Sequence, residues 1–431
     1  MTSQGGSWRF ERLGGLTLTT YRVRQEGTGV RMVVTETFRE EIEEWLPELI
    51  ETRRDFHRHP EMGLEEVRTS GIVAERLRAI GYEDVRTGIG VTGVKAVLRG
   101  GKPGKTLLLR ADMDALPIEE QNDVEYRSTV SGVMHACGHD GHTAMLMSVA
   151  RLLYPKRDEI PGTIVFCFQP AEEGRGGARA MIADGVLEDP TVDAAIGLHL
   201  MSYYPVGMAA AISGPAMSGA HGFHATIQGR GGHGATPHKT IDALVIAAEV
   251  VTTLQTLVAR EVDPQQPAAV TVGTLHAGTT AGNIIADSAT MRGTVRWFDP
   301  AVGDYMAERL PKLIEGIAEA MRGSATVEYR TGGKATINDP GVTAIVHEAL
   351  AEIIGEENVI TGPPLMGSED FSEFTDRIPA SFFFVGSRDD ETGKNFDHHH
   401  PRFDLDERSL PLGVEMMAKA ALRWLEANAE G

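Results

Sequence analysis

The sequence predicts an α/β protein: a layered domain built on a mostly parallel sheet, with a smaller unit of βαββαβ order inserted into it. Three observations predict it. Short apolar runs alternate with segments of helical periodicity through residues 94–200. The pattern changes after about residue 213, and the first pattern returns near residue 342.

Taken in order, residues 38–58 read as a helix, with Ile42, Trp45, Leu46, Leu49 and Ile50 at three- and four-residue spacing. Residues 67–80 form a second helix, ended by Gly81 at the C-cap. Residues 94–98 and 106–111 are strand-like, the latter a continuous apolar run as in a strand buried on both faces. A helix at 142–153, a strand at 163–168, a helix at 176–183 and a strand at 194–200 follow. Residues 221–228 then alternate like a half-buried strand, and 241–260 make a long amphipathic helix. Strands at 269–275 and 289–298, a helix at 301–321 and a strand at 326–330 complete a ferredoxin-like βαββαβ unit. A helix at 342–354, a strand at 380–386 and a helix at 407–427 return to the larger domain. The expected boundaries are 32–215 and 332–431 for the large domain and 216–331 for the insert. Residues 1–31 stand outside both, as a disordered tail, an unusual targeting peptide or a start upstream of Met32.

Composition narrows the function. The chain has 431 residues, 41 Lys+Arg against 61 Asp+Glu, and a formal charge of −20. Such a polyanion repels phosphate backbones and anionic bilayers, which argues against nucleic-acid and membrane partners. The best apolar run, 243–251, is interrupted by Glu249 and falls short of a membrane span. A cytoplasmic location is the default expectation. Two Cys exclude a disulfide framework. Of the 15 His, twelve are bunched, at 57 and 59, at 135, 139 and 142, at 221, 224, 233 and 238, and at 398–400. Bunched His beside acidic residues is the composition of a metal site.

The most informative stretch is His135-Ala-Cys-Gly-His-Asp-Gly-His142. It offers a thiolate at Cys137 and an imidazole at His139 on one short loop, a donor pair suited to a borderline-soft dication. Glu172 and Glu173 follow a buried strand directly, where α/β folds place their sites. One carboxylate can bind metal while its neighbour moves a proton. Asp112 and Asp114, again at a strand end, can orient a ligand imidazole. His199 ends an apolar strand, and His398-His-His-Pro401 precedes the last helix. In the insert, glycines flank His233 within Gly229-Arg-Gly-Gly-His-Gly-Ala-Thr-Pro237, and Asn283 lies on another Gly-rich connection. The motifs Gly-x-Ser-x-Gly and His-Glu-x-x-His are absent.

Together with Asp55-Phe-His-Arg-His-Pro-Glu61, Arg110-Ala-Asp-Met-Asp-Ala-Leu-Pro117 and Met366-Gly-Ser-Glu-Asp-Phe371, these motifs resemble the dinuclear-metal peptidase and amidohydrolase superfamily. The branch they resemble most is that of the N-acyl-amino-acid amidohydrolases, such as hippurate hydrolase and the indole-acetyl-amino-acid hydrolases. The resemblance runs from about residue 42 to 425. It implies two divalent metal ions (Mn, Zn, Co or Ni) held by Cys137, His139, Glu173, His199 and one His of 398–400. The pattern His-x-Pro favours His399. Glu172 would be the general base and His233, from the same chain or from a partner subunit, the oxyanion donor. Asp112 and Asp114 would stand behind the ligands. Asn283, with Arg292 or Arg296, would meet the substrate carboxylate or the oxyanion. Carboxypeptidase branches carry His-x-Asp where this chain has Asp112-Met-Asp114, and Asp where it has Cys137, so the chain aligns with acyl-amino-acid hydrolysis. The resemblance also implies a homodimer formed through the insert, which would serve as lid and dimerisation domain.

The reaction so implied is hydrolysis of the amide of a small N-acyl amino acid to a carboxylic acid and a free amino acid. A dipeptidase or carboxypeptidase on the same metals is the alternative enzyme reading. A metal- or ligand-binding protein without catalysis is the reading from another class, and it predicts no turnover after metal loading.

Overall fold

The computed structural model describes residues 38–429; the tail expected at 1–31 lies outside them. The central strands Pro161–Gln169, Lys102–Asp112, Ala194–Pro205 and Ala380–Arg388 lie side by side and parallel. They are apolar on both faces because both faces are covered. Leu107 and Leu109 point into one core with the helices Val67–Ile80, His139–Leu153, Pro340–Ile354 and Ser409–Ala427. Leu108, between them, points into a second core with Met181, Phe371 and Phe374.

The sheet has eight strands and is not parallel throughout. The strand expected at 94–98, Gly93–Arg99, runs antiparallel to Pro161–Gln169 and pairs with the edge strand Val85–Ile89. Arg99 and Lys102 end consecutive strands with only residues 100–101 between them, too few for a parallel crossover. At the other edge stand the short strands Ala209–Ala210 and Val359–Ile360, which apolar patterning did not reveal. The helix expected at 38–58 is two, Arg39–Glu44 and Leu46–Arg58. Pro47 lacks the N–H that a continuous helix needs, but it fits the first turn of the second helix.

The strands Gly219–Gln228, Ala268–Ala277, Ser288–Trp297 and Ser324–Thr331 form a separate antiparallel sheet. Gly219–Gln228 lies between Ser288–Trp297 and Ser324–Thr331, and Ala268–Ala277 is an edge. Burial alternates along Gly219–Gln228, with Phe223, Ala225 and Ile227 facing inward. They meet Ile246, Val250 and Leu254 of helix Ala243–Thr256 and Met306, Leu310 and Ile314 of helix Pro300–Ala320. The Asp242 and Asp299 side chains cap these two helices. Counting its final wider turn, the stretch Ala243–Glu261 has 19 residues and is apolar enough on average to cross a bilayer, which the sequence reading did not expect. Its inward residues lie in the core of this unit, while Leu244 and Val245 on its outer face are exposed.

The central strands, being parallel, deliver their carboxyl ends to one edge of the sheet. Asp112 closes one strand, residues 170–176 follow another, and the N-terminus of helix His139–Leu153 opens beside them.

Candidate metal centre

Gly138, in the left-handed region at φ +89°, turns the chain so that the helix begins at His139. Cys137 and His139 are buried there. His139 Nδ1 lies 2.9 Å from the Asp114 carbonyl oxygen and 3.2 Å from Asp114 Oδ1. Donation from Nδ1 fixes the ring and leaves Nε2 free of any partner. His199 Nδ1 donates to the Leu200 carbonyl at 2.6 Å, which turns Nε2 to within 3.5 Å of Cys137 Sγ. Both rings therefore present Nε2 to one spot, His139 without a hydrogen bond and His199 against the Cys137 thiol.

Glu172 and Glu173 reach that spot through a tight turn. Ala171 adopts φ +55°, and its N–H is held by Glu66 Oε1 at 2.8 Å. A Cβ on Gly177 would lie 1.6 Å from the Pro170 carbonyl oxygen, so only glycine closes this turn. The Glu173 N–H donates to Asp114 Oδ2 at 3.0 Å. Its Oε1 comes within 3.2 Å of His399 Nε2, yet in a direction that makes no hydrogen bond. The potential donor atoms fall into overlapping groups within 4.8 Å: Cys137, His139 and His199; Cys137, Glu173 and His399; His139, Glu172 and Glu173. All five ligands expected from the sequence, and the expected base, are thus brought together.

Burial and the Glu173 charge push the Cys137 thiol up, and burial holds His199 well below the ordinary histidine value. The Cys137 thiol and the Glu173 carboxylate close beside it raise His399 to about 10. Burial and the carboxylates of Glu369, Glu173 and Asp370 raise Glu172 well above the usual carboxylate range. Excess acid around bare imidazoles is a donor set that cations would balance. The unpartnered His139 Nε2 and Glu173 Oε1, both buried, fit the same conclusion.

Asp112 and Asp114 do different things. Asp114 orients His139, whereas Asp112 Oδ1 takes the Nδ1 proton of His142 at 2.6 Å. His142 Nε2 accepts the Leu200 N–H at 2.8 Å, so both its nitrogens are satisfied. Asp112 Oδ2 meets the fully buried Arg110 at 2.6 Å. Arg110 also reaches Gln169 at 2.9 Å, Glu369 at 2.8 Å and Asp370 at 3.0 Å. The sequence reading gave Arg110, Glu369 and Asp370 no role. A charge inside an apolar strand run was the only hint. Of the three consecutive His, His398 is half-buried and accepts the Ser202 N–H, and His400 accepts the Arg402 N–H. Only His399 joins a donor group.

A cavity of about 760 Å³ opens over these groups, lined by Cys137, Glu172, Glu173, His199 and His399 and walled by Met201, Met217 and Leu365. Arg296 lines it, half-buried, with Nη1 unpartnered and its pKa lowered by burial. Arg292, the other arginine the sequence offered, does not line the cavity of its own chain. It is exposed four residues along the same strand, roughly 13 Å away at about 3.3 Å per residue. His233 and Asn283 come together, through the pairing of Gly232–His233 with Ile284–Ile285 and a 2.8 Å bond from Gly234 N–H to the Asn283 carbonyl. Both are exposed, and neither lines the cavity of its own chain.

The profile of peptidase family M20/M25/M40 matches residues 108–423. Thermostable carboxypeptidase 2 of Saccharolobus solfataricus is 41% identical over 388 residues, covering 89% of this chain and 96% of that protein. IAA-amino acid hydrolase ILR1-like 2 of Arabidopsis thaliana is 38% identical, covering 90% and 87%. The crystal structure of the Bacillus subtilis YXEP protein, a dinuclear metal binding peptidase from the M20 family, superposes with a TM-score of 0.76 at 33% identity, covering 89% of this chain and 99% of that one. The chain belongs to peptidase family M20/M25/M40 and is a hydrolase that acts on amide bonds.

Proposed function

We propose that the protein is a metal-dependent amidohydrolase that cleaves the amide of N-acyl amino acids, releasing a carboxylic acid and a free amino acid. The observation that carries this reading is the convergence of Cys137, His139, Glu173, His199 and His399 at the floor of one cavity, with Glu172 beside them. Those five side chains would hold two divalent cations. Bound there, the cations would polarise the substrate carbonyl and acidify water. Glu172 takes a proton from the attacking water and hands it to the leaving nitrogen. Asp114 keeps His139 in the tautomer that presents Nε2. Arg296 meets the substrate carboxylate, and Met201, Met217 and Leu365 receive the acyl group.

His233 and Asn283 are exposed outside the cavity. In this reading the ferredoxin-like insert, about residues 216–331, is a lid that also dimerises, and His233 of the partner subunit completes the oxyanion site.

Conversion of Glu172 to Gln tests the assignment. We expect kcat to fall by about 10³-fold or more with two cations still bound, and retained turnover would sink the role. The 41% identity to a carboxypeptidase favours a second reading on the same site, cleavage of a C-terminal amino acid from peptides. A panel of hippurate, N-acetyl amino acids and dipeptides separates the two by kcat/KM.

A further inference from the structure

We infer that Arg53 is a positioning residue for the metal centre: it bolts together, from behind, the two segments that carry Cys137 with His139 and His399. The inference rests on the ligand assignment proposed above. Arg53 lies on helix Leu46–Arg58, is wholly buried and does not line the cavity. Its Nε donates to Asp140 Oδ2 at 2.8 Å, and its Nη2 donates to Asp404 Oδ1 at 3.0 Å. Asp140 directly follows His139, and Asp404 lies five residues beyond His399. One guanidinium therefore spans both ligand-bearing segments.

Both anchors are themselves fixed. Asp140 Oδ2 also receives His57 Nδ1 at 2.7 Å, one helical turn on from Arg53. Asp404 Oδ2 receives the Tyr126 hydroxyl at 2.7 Å and lies 3.0 Å from Lys394 Nζ. In front of Arg53 the segments meet directly, where the His399 N–H donates to the Ala136 carbonyl at 2.8 Å. His399 holds φ +65°, a conformation that a residue with a Cβ keeps only when its surroundings impose it. Without Arg53 the two carboxylates would lose their common cation and repel one another across the seam. His399 shares a donor group only with Cys137 and Glu173, whereas Cys137 also belongs to the group with His139 and His199. A shift of the 399–404 segment therefore weakens one cation position before the other. The planar fork of arginine reaches two carboxylates at once, which a lysine ammonium does not reproduce.

The test titrates the full-length chain, stripped by chelation, with Co²⁺. Bound metal is counted by equilibrium dialysis, and the thiolate–cobalt absorption reports Cys137. We expect Arg53→Gln to bind one cobalt normally and the second about 10–100-fold more weakly, with Arg53→Lys rescuing only part of the loss. Native circular dichroism should be kept. If both variants fail to fold, Asp404→Asn replaces them, with a smaller weakening of the same single position expected. Two cobalt ions bound with wild-type affinity by the folded variants would overturn the inference, as would equal weakening of both. His399→Ala separates the two layers of the argument. Full binding of two cobalt ions by that variant would remove the ligand assignment itself. Loss of one cobalt there, with none lost in the Arg53 variants, would remove only the positioning role.

Discussion

Two buried polar clusters lie on either side of the chain segment 135–142, and they are built on opposite rules. Behind it, Arg53, His57, Glu120, Asp140 and Asp404 answer one another, and each charged group has a partner within 3.3 Å, although Arg53 Nη1 and Asp140 Oδ1 make no hydrogen bond. In front of it, His139 Nε2 and Glu173 Oε1 have no hydrogen bond, and Cys137, His199 and His399 crowd the same spot. A buried polar group without a partner costs folding free energy. A fold that leaves several aimed at one point is arranged for something it binds. The rear cluster is closed mainly by ion pairs within the chain, whereas the front cluster aims its open atoms at one point that a cation would fill.

The largest effect that sharpens this contrast is expected from the rear. Asp140→Ala removes the buried carboxylate that Arg53 and His57 share, leaving Arg53 to Asp404 and His57 to Glu120, and should cost about 3–5 kcal/mol of stability in urea unfolding of the metal-free protein. A loss under 1 kcal/mol would break the comparison. Next comes the front. Saturating metal at about 1,000 times its dissociation constant should stabilise the wild type by about 4 kcal/mol, which chelation removes. Glu173→Ala should erase much of that increment, yet cost the metal-free protein less than Asp140→Ala does, under about 1 kcal/mol, because Oε1 makes no hydrogen bond and the His399 ring it approaches is exposed.

The smallest effect is in the pH dependence. Burial and the Arg53 charge oppose protonation of His57, but its bonds to Asp140 and Glu120 outweigh them and raise its pKa. A raised folded pKa means that the contribution is complete below the unfolded value of about 6.5 and is lost as pH rises through the folded value. Wild type should therefore exceed His57→Gln by about 1.5–3 kcal/mol near pH 6, with the gap narrowing towards alkaline pH. A gap that widens above pH 7 would contradict the ion pairs.

Much of this was readable beforehand, for identifiable reasons. The continuous apolar runs around Leu107–Leu109 and Ile164–Phe168 marked strands covered on both faces, because no other environment tolerates them. The short strands Ala209–Ala210 and Val359–Ile360 were not legible, since two residues carry no period. Cys137, His139, Glu172 and Glu173 could be found because the chemistry of a metal site needs those residue types close together in the chain. Arg110 and Arg53 could not, because an arginine's partners lie far off: Glu369 is 259 positions from one, and Asp404 is 351 from the other.

The sequence by itself determined the layered α/β architecture, the inserted unit and the identity of most candidate donors, since periodicity and residue type are local properties. Only the tertiary structure decided that Asp114 rather than Asp112 holds His139 Nδ1, that His399 rather than its neighbours joins the donor group, and that Arg296 rather than Arg292 lines the cavity. Those choices depend on direction. Direction is set by how distant segments pack, as where the His399 N–H meets the Ala136 carbonyl across 263 positions of chain.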